Sequence, residues 1–134
     1  MKKDCVFCQI IENKIPSYKI LEDPDHLAIL DIFPNTEGHT LIITKGHYET
    51  IFEIPEEVLA KTNLFVKKVS NLLKKKLKID GLNIFNSNGK IAQQEIPHYH
   101  IHLIPRYKDE KFNIVFENKT KEKNFGEILK KLKE

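Results

Sequence analysis

The sequence predicts an α+β domain in which an antiparallel sheet is covered by one long helix. Three observations carry that expectation. Short apolar runs separated by turn residues fill much of the first half of the chain. One stretch beginning at Pro55 repeats its apolar residues at helical spacing. The length, 134 residues, suits a single domain.

The elements follow in order. Cys5 to Lys14 reads as a short helix, with Val6, Ile10 and Ile11 on its apolar side. Tyr18 to Leu21 is a first strand. His26 to Phe33 is a second, setting Leu27, Ile29 and Asp31 against Ala28, Leu30 and Ile32. The turn Pro34-Asn35-Thr36-Glu37-Gly38 leads into a third strand, His39 to Thr44. Pro55-Glu56-Glu57 opens the long helix, where proline fits the first turn and acidic residues suit the positive end. Val58, Phe65, Val69, Leu72 and Leu73 give it one apolar face, and Asp80-Gly81 is expected to stop it. Leu82 to Asn86 and His98 to Ile104 are strands joined by a polar loop. Phe112 to Phe116 could add another. Phe125, Ile128, Leu129 and Leu132 mark a terminal helix. Helices beside an antiparallel sheet make an α+β domain. The whole span 1–134 reads as one domain, with 108–134 as a C-terminal extension.

Composition narrows the function. Hydrophobic residues are 40% and charged residues 31%, a globular balance. No apolar run reaches membrane-span length, and Met1-Lys2-Lys3-Asp4 is not followed by an apolar signal segment. Two cysteines make no disulfide framework, which suits a reducing cytoplasm. The net charge is +3, and Arg106 is the only arginine. Nucleic-acid surfaces lean on arginine forks, and Lys74-Lys75-Lys76 and Lys130-Lys131 complement helix ends instead. No nucleic-acid or membrane partner is expected.

The chemistry concentrates in Ile96-Pro97-His98-Tyr99-His100-Ile101-His102-Leu103-Ile104-Pro105-Arg106. Residues two apart on a strand share a face, so the three imidazoles would line one side and Tyr99, Ile101 and Leu103 the other. Three uses of such a face are open. It can be a polar strand surface. It can supply metal ligands, given a further ligand from elsewhere. It can carry a neutral imidazole that attacks phosphorus, with a neighbouring imidazole stabilising the charged oxygens. Cys5-Val6-Phe7-Cys8 is likewise open between half a zinc site, a redox pair and coincidence.

His98-Tyr99-His100-Ile101-His102-Leu103-Ile104 resembles the motif of the histidine triad (HIT) family. Asp31-Ile32-Phe33-Pro34, then Gly38-His39-Thr40-Leu41-Ile42-Ile43 and Lys45-Gly46-His47, resembles the family's upstream block. Gly89-Lys90 and Ala92-Gln93-Gln94-Glu95 resemble the loop before the triad. The order and spacing match from Cys5 to Tyr107.

The resemblance implies an antiparallel sheet with one long helix, paired into a homodimer. It implies a purine nucleotide substrate joined through its α-phosphate to a leaving group, and no catalytic cofactor. His100 would be the nucleophile, and water would then release a nucleoside monophosphate. His102 would bond the phosphate or leaving group, and His39 would sit near His100 and set its tautomer. Asp31 would bind the ribose hydroxyls. Phe7, Ile10, Ile15, Ile29, Leu30 and Ile32 match the base pocket. Ser87 falls where many members carry a ligand-side Asn, with Asn86 and Asn88 on either side, and which of the three reaches the ligand is open. Gln94 is expected at the phosphate ahead of Glu95, which stands where many members carry Ser or Thr. Gln93 replaces a glycine, and Ser87 an asparagine. The zinc-bearing, Hint-like branch places a structural zinc on Cys5, Cys8, His47 and His98. That leaves His26 as a surface residue. The leading activity is hydrolysis of nucleoside phosphoramidates. The alternatives are a diadenosine polyphosphate hydrolase and a non-catalytic nucleotide-binding scaffold.

Overall fold

The computed structural model describes residues 2–111, 113–115 and 124–134. Its order is α1 (Val6–Ile11), β1 (Lys19–Glu22), β2 (His26–Leu30), β3 (Thr40–Thr44), α2 (Glu56–Leu77), β4 (Gly81–Phe85), a 3-10 turn (Lys90–Ala92), β5 (His100–Arg106) and α3 (Phe125–Lys133). The strands form one antiparallel sheet in the order β1-β2-β3-β5-β4. This is the α+β architecture expected. No helix among the described residues is long and apolar enough to cross a membrane.

Alternation splits the sheet into two apolar faces. One face carries Ala28, Ile42, Tyr99, Ile101 and Leu103, and α2 covers it with Phe65, Val66, Val69 and Leu73. The other carries Leu27, Ile29, Leu41 and Ile43, and α1 covers it with Cys5, Phe7, Cys8 and Ile10. The triad strand is therefore sandwiched, its apolar residues under α2 and its imidazoles toward α1.

Several element ends differ from expectation, each for a local reason. Helix α1 stops at Ile11 rather than Lys14, because Asn13 takes a left-handed conformation with φ 62°. Strand β2 stops at Leu30 rather than Phe33. The Asp31 N–H still donates to the His39 carbonyl at 2.9 Å, but its Oδ1 accepts the Phe33 N–H at 2.9 Å, an Asx turn that ends the strand. Helix α2 ends on Lys78, which is itself left-handed at φ 53°, so Asp80-Gly81 is not the stop. Strand β5 starts at His100 and runs through Pro105 to Arg106. Proline is tolerated there because β3 pairs with β5 only from Leu103 to His100, leaving that side of Pro105 without a ladder. Asn113 to Val115 form no strand, and Phe112 and Phe116 lie outside the described residues.

His26 is not a surface residue. It is 1% exposed, stacked on Phe65 with ring centroids 5.0 Å apart. Thr62 Oγ1 donates to the Val58 carbonyl at 2.7 Å, so it can only accept from His26 Nε2–H, 2.9 Å away. Nδ1 lies 3.1 Å from the Asp23 carboxylate, also an acceptor. Both ring nitrogens therefore face acceptors, and the ring ties β2 to α2.

Candidate functional site

The site is built where β5 leaves its preceding loop. His98 and Tyr99 are not in the strand; His98 lies just before it, where the chain can turn the side chain toward α1. His98 Nε2 lies 2.6 Å from the Thr44 carbonyl, which can only accept. The ring proton is therefore on Nε2, and Nδ1 carries a bare lone pair.

That lone pair points at three other donors. Cys5 Sγ is 3.3 Å from His98 Nδ1, Cys8 Sγ is 3.6 Å and His47 Nδ1 is 3.1 Å; Cys8 Sγ is 3.3 Å from His47 Nδ1. A tetrahedral ion with sulfur and nitrogen ligands would space them at about 3.3–3.8 Å. Among the described residues, His47 Nε2 is buried without a hydrogen-bond partner. Burial holds the His98 imidazole down to about 4, which keeps its Nδ1 lone pair available, and pushes the Cys5 thiol up. Two sulfurs and two imidazole nitrogens are the donor types a structural zinc takes, and a bound cation favours their deprotonated forms. The donor set thus fits a metal, as the C-x-x-C spacing and the resemblance suggested.

A second group, Asp31, His39 and His102, is also close enough to hold an ion. Its hydrogen bonds argue against one. The Asn35 backbone N–H donates to His39 Nδ1 at 3.1 Å, so the ring proton must sit on Nε2. The Nε2–H then donates to His102 Nδ1, 2.9 Å away. A metal on Nε2 would need that proton gone.

The same chain of donors sets His102. With Nδ1 accepting, its proton lies on Nε2, facing outward from His39. Asp31 Oδ2 is 3.4 Å from His39 Nε2 and 4.0 Å from His102 Nδ1. Its charge raises both imidazoles, but burial outweighs it and both are held below the ordinary histidine range.

His100 is set the other way round. Its Nδ1 lies 2.7 Å from the His98 carbonyl, so Nδ1–H donates and Nε2 keeps a lone pair. Burial is the main reason its basicity is lowered, against a raising hydrogen bond to His98. The rings of His100 and His102 lie 5.1 Å apart, so a bare Nε2 stands beside a ring with Nε2–H. His39 was expected to orient His100. The His98 carbonyl takes that role, and His39 orients His102 instead.

The remaining expected residues divide. Phe7 is buried with its edge against His100, centroids 4.9 Å apart, and Ile10 and Ile29 are buried in the same cluster with Ile15 partly buried. Leu30 belongs with Ala28 on the α2 side by alternation, so it does not share a wall with Ile29. Ile32 stands exposed beyond the Asp31 turn.

The loop amides are already engaged. Gln94 Oε1 accepts from Gly89 N–H at 2.8 Å, and its Nε2 donates to the carbonyls of Glu49 at 2.7 Å and Ile96 at 3.1 Å. Through these three bonds it braces the loop. Asn86 Nδ2 donates to the His100 carbonyl at 2.8 Å, and Asn88 Nδ2 donates to Asn86 Oδ1 at 2.6 Å. Ser87, between them, is half-buried. Glu95 is exposed, and its charge acts on both His100 and His102. Asn35 N–H and the His98 and Thr44 carbonyls were missed because backbone groups leave no mark in a sequence.

Comparison with known proteins shows the family. The HIT domain profile matches residues 12–109. The adenosine 5'-monophosphoramidase HNT1 of Saccharomyces cerevisiae is 42% identical over 130 residues, covering 97% of this chain and 79% of that protein. The structure of a HIT family protein from Bacillus anthracis superposes with a TM-score of 0.87 at 35% identity, over 99% of this chain and 95% of that one. A zinc-bound histidine triad family protein from Mycobacterium smegmatis does so with a TM-score of 0.79 at 37% identity, over 83% and 81%. The chain belongs to the HIT domain family, in its Hint-like branch.

Proposed function

We propose that the protein hydrolyses purine nucleoside phosphoramidates, or related nucleoside 5'-phosphate conjugates, through a nucleotidyl-His100 intermediate. The observation that carries this reading is the opposed pair of tautomers: a bare Nε2 on His100 beside an Nε2–H on His102. A buried neutral imidazole is a nucleophile, and its neighbour a donor to phosphate oxygen or leaving group. The monophosphoramidase name of the yeast relative supports the substrate class.

In the first step the His100 Nε2 lone pair forms a bond to the α-phosphorus and the bond from phosphorus to the leaving nitrogen breaks. In the complex the anionic phosphate and Asp31 favour an imidazolium at His102, whose proton passes to the departing amine. In the second step water oxygen bonds phosphorus, the Nε2–P bond breaks and the water proton returns to His102. The products are an amine and a nucleoside monophosphate. Asp31 would accept from the ribose hydroxyls, and Ile10 and Ile29 would line the wall that meets the base, while Phe7 faces the His100 ring.

Cys5, Cys8, His47 and His98 would hold a zinc ion whose closed Cys₂His₂ shell leaves it a structural role. The zinc-bound relative supports that identity. The span 1–134 acts as one domain, and two copies make the working unit. Incubation with adenosine phosphoramidate tests the activity: AMP is released by the wild type and not by His100→Ala. Tight binding without AMP release would leave only a binding protein.

A further inference from the structure

His98 serves two sites at once. Its side chain aims Nδ1 into the Cys5, Cys8 and His47 cluster, while its carbonyl accepts the His100 Nδ1–H at 2.7 Å. Its Nε2, 2.6 Å from the Thr44 carbonyl, fixes the ring between them. Phe7 makes a second connection. It lies between the two cysteines, edge-on to His98 at 5.7 Å and 85°, and edge-on to His100 at 4.9 Å and 72°.

Helix α1, which carries Phe7, has only six residues. A helix that short does not hold itself in water. Its N-cap is the Cys5 sulfur, which accepts the Cys8 N–H at 3.4 Å. What keeps α1 in register on the triad is therefore its burial and the sulfur cluster. Once an ion binds Cys5 and Cys8, Phe7 is clamped from both sides against the His100 ring.

We propose that His98 and Phe7 are positioning residues through which the metal centre fixes the His100 imidazole, so that metal occupancy sets the rate of nucleotidyl transfer rather than the affinity for nucleotide. This rests on His100 being the nucleophile. The step affected is the one that forms the Nε2–P bond and breaks the bond from phosphorus to the leaving nitrogen. A ring free to turn about its side-chain torsions loses the in-line approach that this step requires.

The test compares zinc-loaded protein, chelator-treated protein and zinc-loaded Phe7→Leu. Adduct formation is followed by intact mass during a single turnover of adenosine phosphoramidate, AMP affinity by titration and the His100 Nδ1–H by NMR of protein with labelled histidine. Chelation and Phe7→Leu are each expected to slow adduct formation ~10-fold or more, with the AMP dissociation constant within ~2-fold. The Nδ1–H signal, protected in loaded wild type, is expected to be lost to solvent exchange in both. Cobalt-substituted Phe7→Leu should keep the absorption of a tetrahedral site, so its slow step is not loss of metal. If chelation unfolds the chain, Phe7→Leu carries the test alone. Unchanged adduct rates in both samples would overturn the proposal. So would a Phe7→Leu protein whose AMP affinity falls while its adduct rate holds, which would place Phe7 against the base. If loaded wild type forms no adduct at all, the catalytic reading beneath fails, and the Nδ1–H signal still decides whether the metal holds the ring.

Discussion

His39 Nε2 lies 2.9 Å from His102 Nδ1, and that contact decides which end of His102 carries a proton. The Asn35 N–H on His39 Nδ1 leaves His39 only Nε2–H to give. His102 must accept it and is left with Nε2–H on its other edge. A short relay from one backbone amide thus presents a donor next to the His100 lone pair.

Replacing His39 by Phe should therefore impair His102 without touching His100. Loss of an orienting partner costs about 10–100-fold in activity. The expected result is a fall of that size in kcat for adenosine phosphoramidate. His102→Ala, which removes the donor itself, should cost more, roughly 10²–10⁴-fold. If His39→Phe is as active as wild type, the relay does not orient His102.

The His26 pair makes a stability prediction. The imidazole is buried, with Thr62 and Asp23 as its acceptors. His26→Leu would leave both without their donor and lose the stack on Phe65. Breaking a buried hydrogen-bonded pair costs about 2–4 kcal/mol, and Thr62→Val should cost about 1–2 kcal/mol. Urea unfolding at neutral pH measures both. A change under about 0.5 kcal/mol in His26→Leu would mean the ring is not a tie between β2 and α2.

Stability should also fall with acid. Burial holds His39 and His102 below their ordinary range, with Asp31 opposing in part. As pH drops below about 6.5, the unfolded chain takes up protons at these rings before the folded chain does. Stability from these two groups is complete above that pH and is lost as pH falls through the lowered folded values. The midpoint of thermal unfolding should decline from pH 7 to pH 5, and a His39→Asn, His102→Asn double variant should decline less. A midpoint that rises toward pH 5 would contradict the sign.

Metal content supplies a fourth prediction. The four ligand atoms of Cys5, Cys8, His47 and His98 lie within 4.8 Å of one another. Protein purified without chelator should carry one zinc per chain, and Cys8→Ser little or none. Chelation should lower the unfolding midpoint, because binding to the folded chain alone adds to its stability. Metal-free wild type from zinc-containing medium would contradict the assignment.

Much of the fold was legible because alternation and helical spacing are set by burial, which side chains record. Tyr99, Ile101 and Leu103 fall under α2 as their period requires. The triad and the C-x-x-C were legible for the same reason: chemistry needs those residue types. Other features were hidden. His26 follows Asp23-Pro24-Asp25, a polar turn, and nothing local says that α2 will bring Thr62 and Phe65 over it. Lys78 ends α2 in a conformation usually left to glycine. The Gln94 amide satisfies three backbone groups that only the folded loop brings together. His98 shares parity with His100 yet serves another centre, because the strand begins two residues after it.

The central claim is that His100 Nε2 becomes bonded to phosphorus. The most direct measurement is rapid quenching of wild-type protein during turnover of adenosine phosphoramidate, followed by digestion and mass mapping of the adduct. The account predicts one adenylyl group per active site, on the peptide bearing His98, His100 and His102, located at His100 and absent from His100→Ala. Turnover at full rate with no adduct on any histidine, or an adduct at His98 or His102, would contradict it.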